Sequence, residues 1–269
     1  MRTHDATRTL LSMTVFVSLL AVTVGPTRLA AADTLKFSAA ADNTLFEDPE
    51  GLLSSGSGGT FYAGRLNSGL IRRGLVRFDL ASLPAGAIIT DASLTLQITR
   101  TVAGNQVVDL HNVLASWGEG LSNGGFGGAG VGATLDDATW AHRFSDGTGV
   151  PAPLGGTLWT NLGGDYDSSI LASRVVGGVG TYTWTSAGLT AAAINWQADP
   201  ASNFGLVVIG NEETNRTVKE FATRENGEPT WRPTLTLSFI VPGPGAGVLI
   251  GLGAVMAGKR KRRATSEQR

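Results

Sequence analysis

The sequence predicts an all-β protein, an antiparallel β-sandwich of jelly-roll type, and three observations predict it. Several short segments alternate apolar and polar residues with period two, as strands with one buried face do. Glycine is abundant, 37 of 269 residues, while only 16% of residues are charged, a composition of many turns between short strands. One segment alone, Leu189 to Trp196, carries a helical pattern, and it is short. With no cysteine in the chain, disulfides, thiolate catalysis and Cys-based zinc sites are excluded, and core burial has to supply the stability.

Taken along the chain, the elements divide it into three parts: residues 1–32, 33–240 and 241–269. Arg2 and Arg8 precede an apolar run from Leu10 to Val24, followed by Pro26 and by Ala30, Ala31 and Ala32 before Asp33. A basic start, an apolar helix and a small-residue end form a secretory signal peptide, with cleavage expected between Ala32 and Asp33. Next come Val76, Phe78 and Leu80 on one strand face, with Arg77 and Asp79 on the other. Pro84-Ala85-Gly86 turns the chain into Leu94, Leu96 and Ile98, which alternate with Thr95, Gln97 and Thr99. A glycine-rich loop is expected over Gly118 to Gly132. Tyr182 and Trp184 mark an aromatic strand, and Gly205 to Ile209 reads as a strand buried on both faces. Leu235, Leu237 and Phe239 close the domain.

The third part opens on Val241-Pro242-Gly243-Pro244-Gly245, continues with an apolar run from Ala246 to Gly258 and ends on Lys259, Arg260, Lys261, Arg262 and Arg263. About 13 residues at ~1.5 Å each give roughly 20 Å of helix, short of the ~30 Å hydrocarbon core. The basic cluster places the preceding domain outside the cytoplasmic membrane, in agreement with the leader. This tail resembles PEP-CTERM sorting signals, with Val241, Pro242, Gly243 and Pro244 as its motif and Gly243 where that motif usually carries Glu. The resemblance implies processing by an exosortase-type enzyme; uncut, the same segment serves as a membrane anchor.

Asp42-Asn43-Thr44-Leu45-Phe46-Glu47, then Arg72-Arg73-Gly74-Leu75-Val76-Arg77-Phe78-Asp79-Leu80, resemble the opening of DNRLRE domains. Trp117-Gly118-Glu119-Gly120, Asp137-Ala138-Thr139-Trp140, Asn203-Phe204-Gly205-Leu206 and Arg232-Pro233-Thr234-Leu235-Thr236-Leu237 resemble later stretches of the same domains, so the likeness covers roughly residues 34 to 240. It implies a jelly-roll sandwich of bacterial surface proteins, related to carbohydrate-binding modules. Thr44 and Phe46 replace the two arginines of the name motif, removing cations that could pair with an acidic sugar.

Few residues suggest chemistry. Gly120-Leu121-Ser122-Asn123-Gly124 matches a nucleophile elbow, and Gly125-Phe126-Gly127-Gly128-Ala129-Gly130 matches a dinucleotide loop, but neither has the strand before and helix after that the motif requires. His111 and His142 are the two histidines left after leader removal, too few for a three-histidine metal site. The loop carboxylates Asp165, Asp167, Asp136, Asp137, Glu212 and Glu213 can supply oxygen ligands to Ca²⁺, the one cofactor the sequence suggests. Of six tryptophans, Trp184 and Trp196 fall in strand and helix patterns and are expected in the core, whereas Trp117, Trp140, Trp159 and Trp231 lie near loops. Trp117 and Trp140, with Arg143, are the first ligand candidates, because sugar rings stack on exposed aromatic faces. Lys plus Arg number 21 against 22 Asp plus Glu, a balance that provides no field for nucleic acid. The expectation is an exported, non-catalytic module that binds or organises extracellular polysaccharide, its partners being signal peptidase, exosortase-type machinery and, through the tail, the membrane. A matrix protein assembling through protein contacts is the alternative, and a polysaccharide hydrolase a remote third.

Overall fold

The computed structural model of the protein describes residues 32–125 and 127–242. The expected leader up to residue 31 and the tail beyond Pro242, with Gly243, Pro244 and the apolar run, lie outside the described residues. Among the described residues no helix is long and apolar enough to cross a membrane.

Among the described residues, fourteen strands and one α-helix follow in order: β1 Ala32–Phe46, β2 Leu53–Ser54, β3 Thr60–Arg65, β4 Ile71–Phe78, β5 Ile88–Thr101, β6 Gln106–Asn112, β7 Val131–Gly132, β8 His142–Ser145, β9 Gly156–Leu158, β10 Ala172–Val176, β11 Gly180–Thr185, α1 Ala187–Ala198, β12 Leu206–Ile209, β13 Lys219–Ala222 and β14 Thr234–Ile240. Ten of them build one large sheet, and every pairing in it is antiparallel. The protein is therefore all-β and sandwich-like, as its alternating segments predict.

β1 belongs to both faces of the fold. Its first half, Ala32 to Ser38, pairs with β14; after an irregularity at Ala39/Ala41 its second half, to Phe46, pairs with β4. An extra residue in a long strand bends and twists it, so one strand can leave one layer and enter the other. One layer then runs β1, β14, β5 and β11, with β13 and β3 continuing along the far half of β5; the other runs β1, β4, β12, β6 and β10.

The main core lies between these layers. Leu94, Leu96 and Ile98 of β5 meet Val76 and Phe78 of β4, Leu206 and Val208 of β12, Leu235 and Leu237 of β14 and Trp184 of β11. Phe61 and Phe221 stack within it at 5.1 Å. That stack requires Gly74, since a Cβ there would stand 2.4 Å from the Phe61 ring. The helix spans Ala187–Ala198, longer at both ends than its apolar pattern indicates. Ser186 caps it, accepting from Leu189 N at 2.9 Å and donating its hydroxyl to Leu171 O. Leu189, Ala192, Ala193 and Trp196, spaced i, i+3, i+4, i+7, bury one face in the core.

A second core covers the outside of the β4 layer. Leu45, Leu75 and Val207 point away from the main core and meet Val113, Trp117, Ala138, Trp140 and Trp159, all delivered by the long excursion between β6 and β10. This layer explains a departure from simple alternation: residues 41–46 of β1 are buried without exception, because that half of the strand has protein on both faces.

Candidate functional site

Of the three residues that the sequence offers as first ligand candidates, Trp117 and Trp140 are placed inside this second core, and Arg143 is half-buried. Trp117 is 2% exposed and donates its indole N–H to Phe204 O at 2.8 Å; Trp140 is 8% exposed, with the Arg73 guanidinium 5.0 Å from its ring centre. Neither indole offers an open face to a sugar. Arg143 donates to Ser116 O at 3.1 Å and Ser116 Oγ at 2.9 Å, which holds it against its own loop. Thr44 and Phe46 are buried as well.

Of the carboxylates expected to hold calcium, Asp165, Asp167 and Asp137 accept hydrogen bonds within their own turns, and Glu212 pairs with Arg73. Asp165 accepts from Thr160 N and Asn161 N, both at 2.8 Å, and Asp167 from Ser169 N at 2.8 Å. Asp136 sits at φ 62°, and Asp137, fully buried, accepts from Thr134 N at 2.5 Å and Thr134 Oγ1 at 3.0 Å. Ser122 is buried and accepts from Gly56 N at 3.3 Å. The histidines bond to main-chain oxygens instead, His142 Nε2 with Leu154 O at 2.6 Å and His111 Nδ1 with Asp167 O at 2.9 Å.

The residues that do converge belong to the family-like motifs, joined by a segment that the sequence leaves silent. Asn43 Nδ2 donates to Ser54 Oγ and to Glu119 O, both at 2.9 Å, while its Oδ1 accepts from Thr44 N at 2.7 Å and Ser55 N at 3.2 Å. Its amide thereby pins the excursion to β1. Beside it, Asp42 N donates to Glu119 Oε1 at 2.8 Å, and Arg224 N donates to Asp42 Oδ2 at 2.7 Å. Arg224 also grips Glu119 with both nitrogens, Nε to Oε1 at 2.7 Å and Nη2 to Oε2 at 2.6 Å, and lies 2.8 Å from Glu225 Oε1.

One oxygen each from Asp42, Glu119 and Glu225 lies within 4.8 Å of the others. Burial pushes the Asp42 carboxyl well above the usual carboxylate range, against the hydrogen bond from Arg224 N, and burial also raises Glu225. The hydrogen bonds to Glu119, together with its charge, hold Arg224 above its ordinary value despite burial. Gly120 closes this loop at φ 70°, where a Cβ would stand 1.7 Å from Asp137 Oδ1.

A second charged group braces the β4 layer. Arg73 forms a two-pronged pair with Glu212, Nε–Oε1 and Nη2–Oε2 at 2.8 Å each, with its guanidinium 5.0 Å from Trp140 and 5.2 Å from Tyr166. Burial lowers the Arg73 pKa, but the Glu212 hydrogen bonds and charge outweigh it and hold the pKa above its ordinary value. Arg72, buried, donates to Gly128 O, Glu47 O and Ile71 O, and burial brings it down to about 10.

Two grooves open on the surface. One of about 640 Å³ runs between the β4–β5 turn and the end of α1, lined by Arg77, Asp79, Leu83, Trp196, Gln197 and Asn203 among others. Another of about 550 Å³ lies at the ends of β6 and β12, lined by Gln106, Asp109, Asn211, Glu212 and Glu213 among others. The Asp42–Glu119–Glu225 carboxylates line neither of these two grooves.

Of the six tryptophans, five are buried and one is open: Trp231 is 43% exposed. It ends a 3₁₀ turn, Pro229–Trp231, whose start is capped by Glu228, which accepts from Thr230 Oγ1 at 2.8 Å; Arg232 Nε donates back to Asn226 O at 3.0 Å. Sequence pattern alone does not separate Trp231 from the other loop tryptophans, although Pro229 two residues before it and the charged Arg232 after it mark a surface turn. No protein-family model matches the chain, and no curated protein is similar to it.

Proposed function

We propose that this protein is an exported, non-catalytic module of the cell surface or extracellular matrix, a sandwich of jelly-roll type that binds or organises polysaccharide. The basic-apolar-alanine leader and the Pro-Gly, apolar, basic tail support export and sorting, through signal peptidase and an exosortase-type enzyme or an uncut membrane anchor. One structural observation carries the binding role: Trp231 presents its ring on a short, internally bonded turn flanked by Glu228, Thr230 and Arg232. An indole face stacks on the apolar face of a pyranose while neighbouring polar groups reach its hydroxyls. A turn already held by its own hydrogen bonds loses little conformational freedom on binding.

Retention of the protein on a panel of insoluble and soluble polysaccharides, with the supernatant assayed for new reducing ends, tests the reading. Saturable retention without turnover is expected, and Trp231→Ala should weaken it roughly thirty-fold, the loss of about 2 kcal/mol typical of a central aromatic contact. Release of reducing ends would mark a hydrolase.

A matrix protein assembling through protein contacts is favoured by a different observation. Strand β10 lies at the edge of its layer, paired with β6 alone, and Val175 on it, 59% exposed, stands opposite Val107 of β6, 47% exposed. An unpaired edge with exposed apolar side chains is a template for another strand. Concentration-dependent assembly without polysaccharide retention would move this reading to first place.

A further inference from the structure

We infer that Asp42, Glu119 and Glu225 form a binding site for a divalent, oxygen-seeking cation, calcium by its donor set. The inference is independent of the polysaccharide reading and rests on different residues.

The three side chains come from positions far apart in the chain, β1, the loop after Trp117 and the segment after β13, yet bring one oxygen each within 4.8 Å of the others. Hydrogen bonding leaves part of this donor set unused. Asp42 is fully buried; its Oδ2 accepts from Arg224 N, while Oδ1 has no partner. Glu225 Oε2 is likewise buried and unpartnered, its other oxygen lying 2.8 Å from Arg224. Glu119 Oε1 already accepts from Arg224 Nε and Asp42 N, whereas Oε2 takes Arg224 Nη2 alone and has a lone pair left for a metal.

Buried carboxylate oxygens without partners are costly, and proteins leave them so where something else completes the site. Charge points the same way, because three carboxylates face the one guanidinium of Arg224 within the cluster, with Arg232 also acting on Glu225, and the cluster keeps an excess of negative charge for a cation. The donors are all hard oxygens, with neither His nor Cys among them, which selects the Ca²⁺ and Mg²⁺ class over zinc or copper. Calcium suits the site better than magnesium, since ligands drawn from three separate segments of the chain are not held to a strict octahedron.

A cation there would cross-link the two halves of the fold where Asn43 and Arg224 already join them. Because the unfolded chain does not bring positions 42, 119 and 225 together, binding favours the folded state by mass action.

The test uses the purified protein stripped with chelator and then titrated with CaCl₂, MgCl₂ or NaCl, followed by calorimetry and by thermal unfolding. Expected are saturable heat at one Ca²⁺ per chain and a Tm higher by roughly 5–10 °C at a hundred times the Kd, with weaker effects of Mg²⁺ and none of Na⁺. Asp42→Asn and Glu225→Gln should each abolish the Ca²⁺-dependent rise in Tm. Glu225, at the partly open rim, serves as the informative variant should Asp42→Asn fail to fold. Equal Tm in chelator and in millimolar Ca²⁺, with no binding heat, would overturn the assignment and leave Asp42 a buried acid that takes a proton instead. Calcium binding unchanged in Glu225→Gln would overturn it too, since the ion would then sit elsewhere.

Discussion

Replacing Asn43 by Ala tests whether one amide holds the two cores together. Asn43 is fully buried, and among the hydrogen bonds of its side chain are four at 2.7 to 3.2 Å, two accepted from Thr44 N and Ser55 N and two donated to Ser54 Oγ and Glu119 O. Each is worth about 1 kcal/mol net, and a main-chain group left unpaired in a dry site costs more, so the variant should lose about 4 kcal/mol. In a domain of this size that loss lowers Tm by roughly 8–16 °C. Urea unfolding followed by tryptophan fluorescence measures it directly, with Asn67→Ala, at an exposed loop position, as a control expected within about 0.5 kcal/mol of the parent. Asn43→Asp sharpens the test. It keeps the acceptors for Thr44 N and Ser55 N but sets a carboxylate oxygen against Glu119 O, so it should fail as badly as Ala although it is closer in shape. A loss below about 1 kcal/mol for Asn43→Ala, at unchanged m-value, would refute the reasoning and show that the excursion is held by its tryptophans alone.

Gly74→Ala places a methyl 2.4 Å from the Phe61 ring and breaks its stack on Phe221; a loss of about 1–3 kcal/mol in urea unfolding is expected, as for other overpacked cores. Lys219 Nζ donates to Ala103 O, Gly104 O and Gly177 O at 3.0, 2.7 and 2.6 Å, tying two loops, so Lys219→Met should speed amide exchange in residues 102–105 and 176–179 while sparing β14. Acid should loosen the loop that Asp165 caps. Burial alone would raise this carboxyl, but hydrogen bonds from Thr160 N and Asn161 N outweigh it and lower its pKa, so its contribution is fully present above the unfolded value of about 3.9 and is lost as pH falls through the folded one. Exchange of Thr160 and Asn161 amides, corrected for intrinsic rates, should accelerate below about pH 4 in the parent and be fast at all pH values in Asp165→Asn.

The framework of the fold is legible in the chain because a half-buried strand writes its environment at period two. Leu94, Leu96 and Ile98 and, at the other end, Leu235, Leu237 and Phe239 are all buried, while Thr95, Thr236 and Ser238 between them lie half-buried; Gln97 departs from the alternation and is buried. Gly205 to Ile209 is legible for the opposite reason, since a strand covered on both faces drops its alternation, and β12 lies under the second core as well as over the first. The excursion is where pattern reading stops. Its described residues 118–125 and 127–130 are indeed irregular, but nothing local tells Trp117, Trp140 and Trp159, which fold back as a lid on β4 and β12, from Trp231, which does not.

The candidate sites were harder still. Asp42 and Glu119 stand in recognisable motifs, but Arg224 and Glu225, without which they are two unrelated acids, belong to a segment with no pattern of its own, 182 residues beyond Asp42. The sequence by itself determined an all-β, cysteine-free chain with strands at the alternating segments and one short helix, because those properties follow from interactions between residues a few positions apart. Only the tertiary structure decided which tryptophans are core and which is surface, that Asn43 joins two layers, and which carboxylates share a site. Those depend on strands and loops from opposite ends of the chain meeting in three dimensions, and no local period records which distant partner a buried side chain will find.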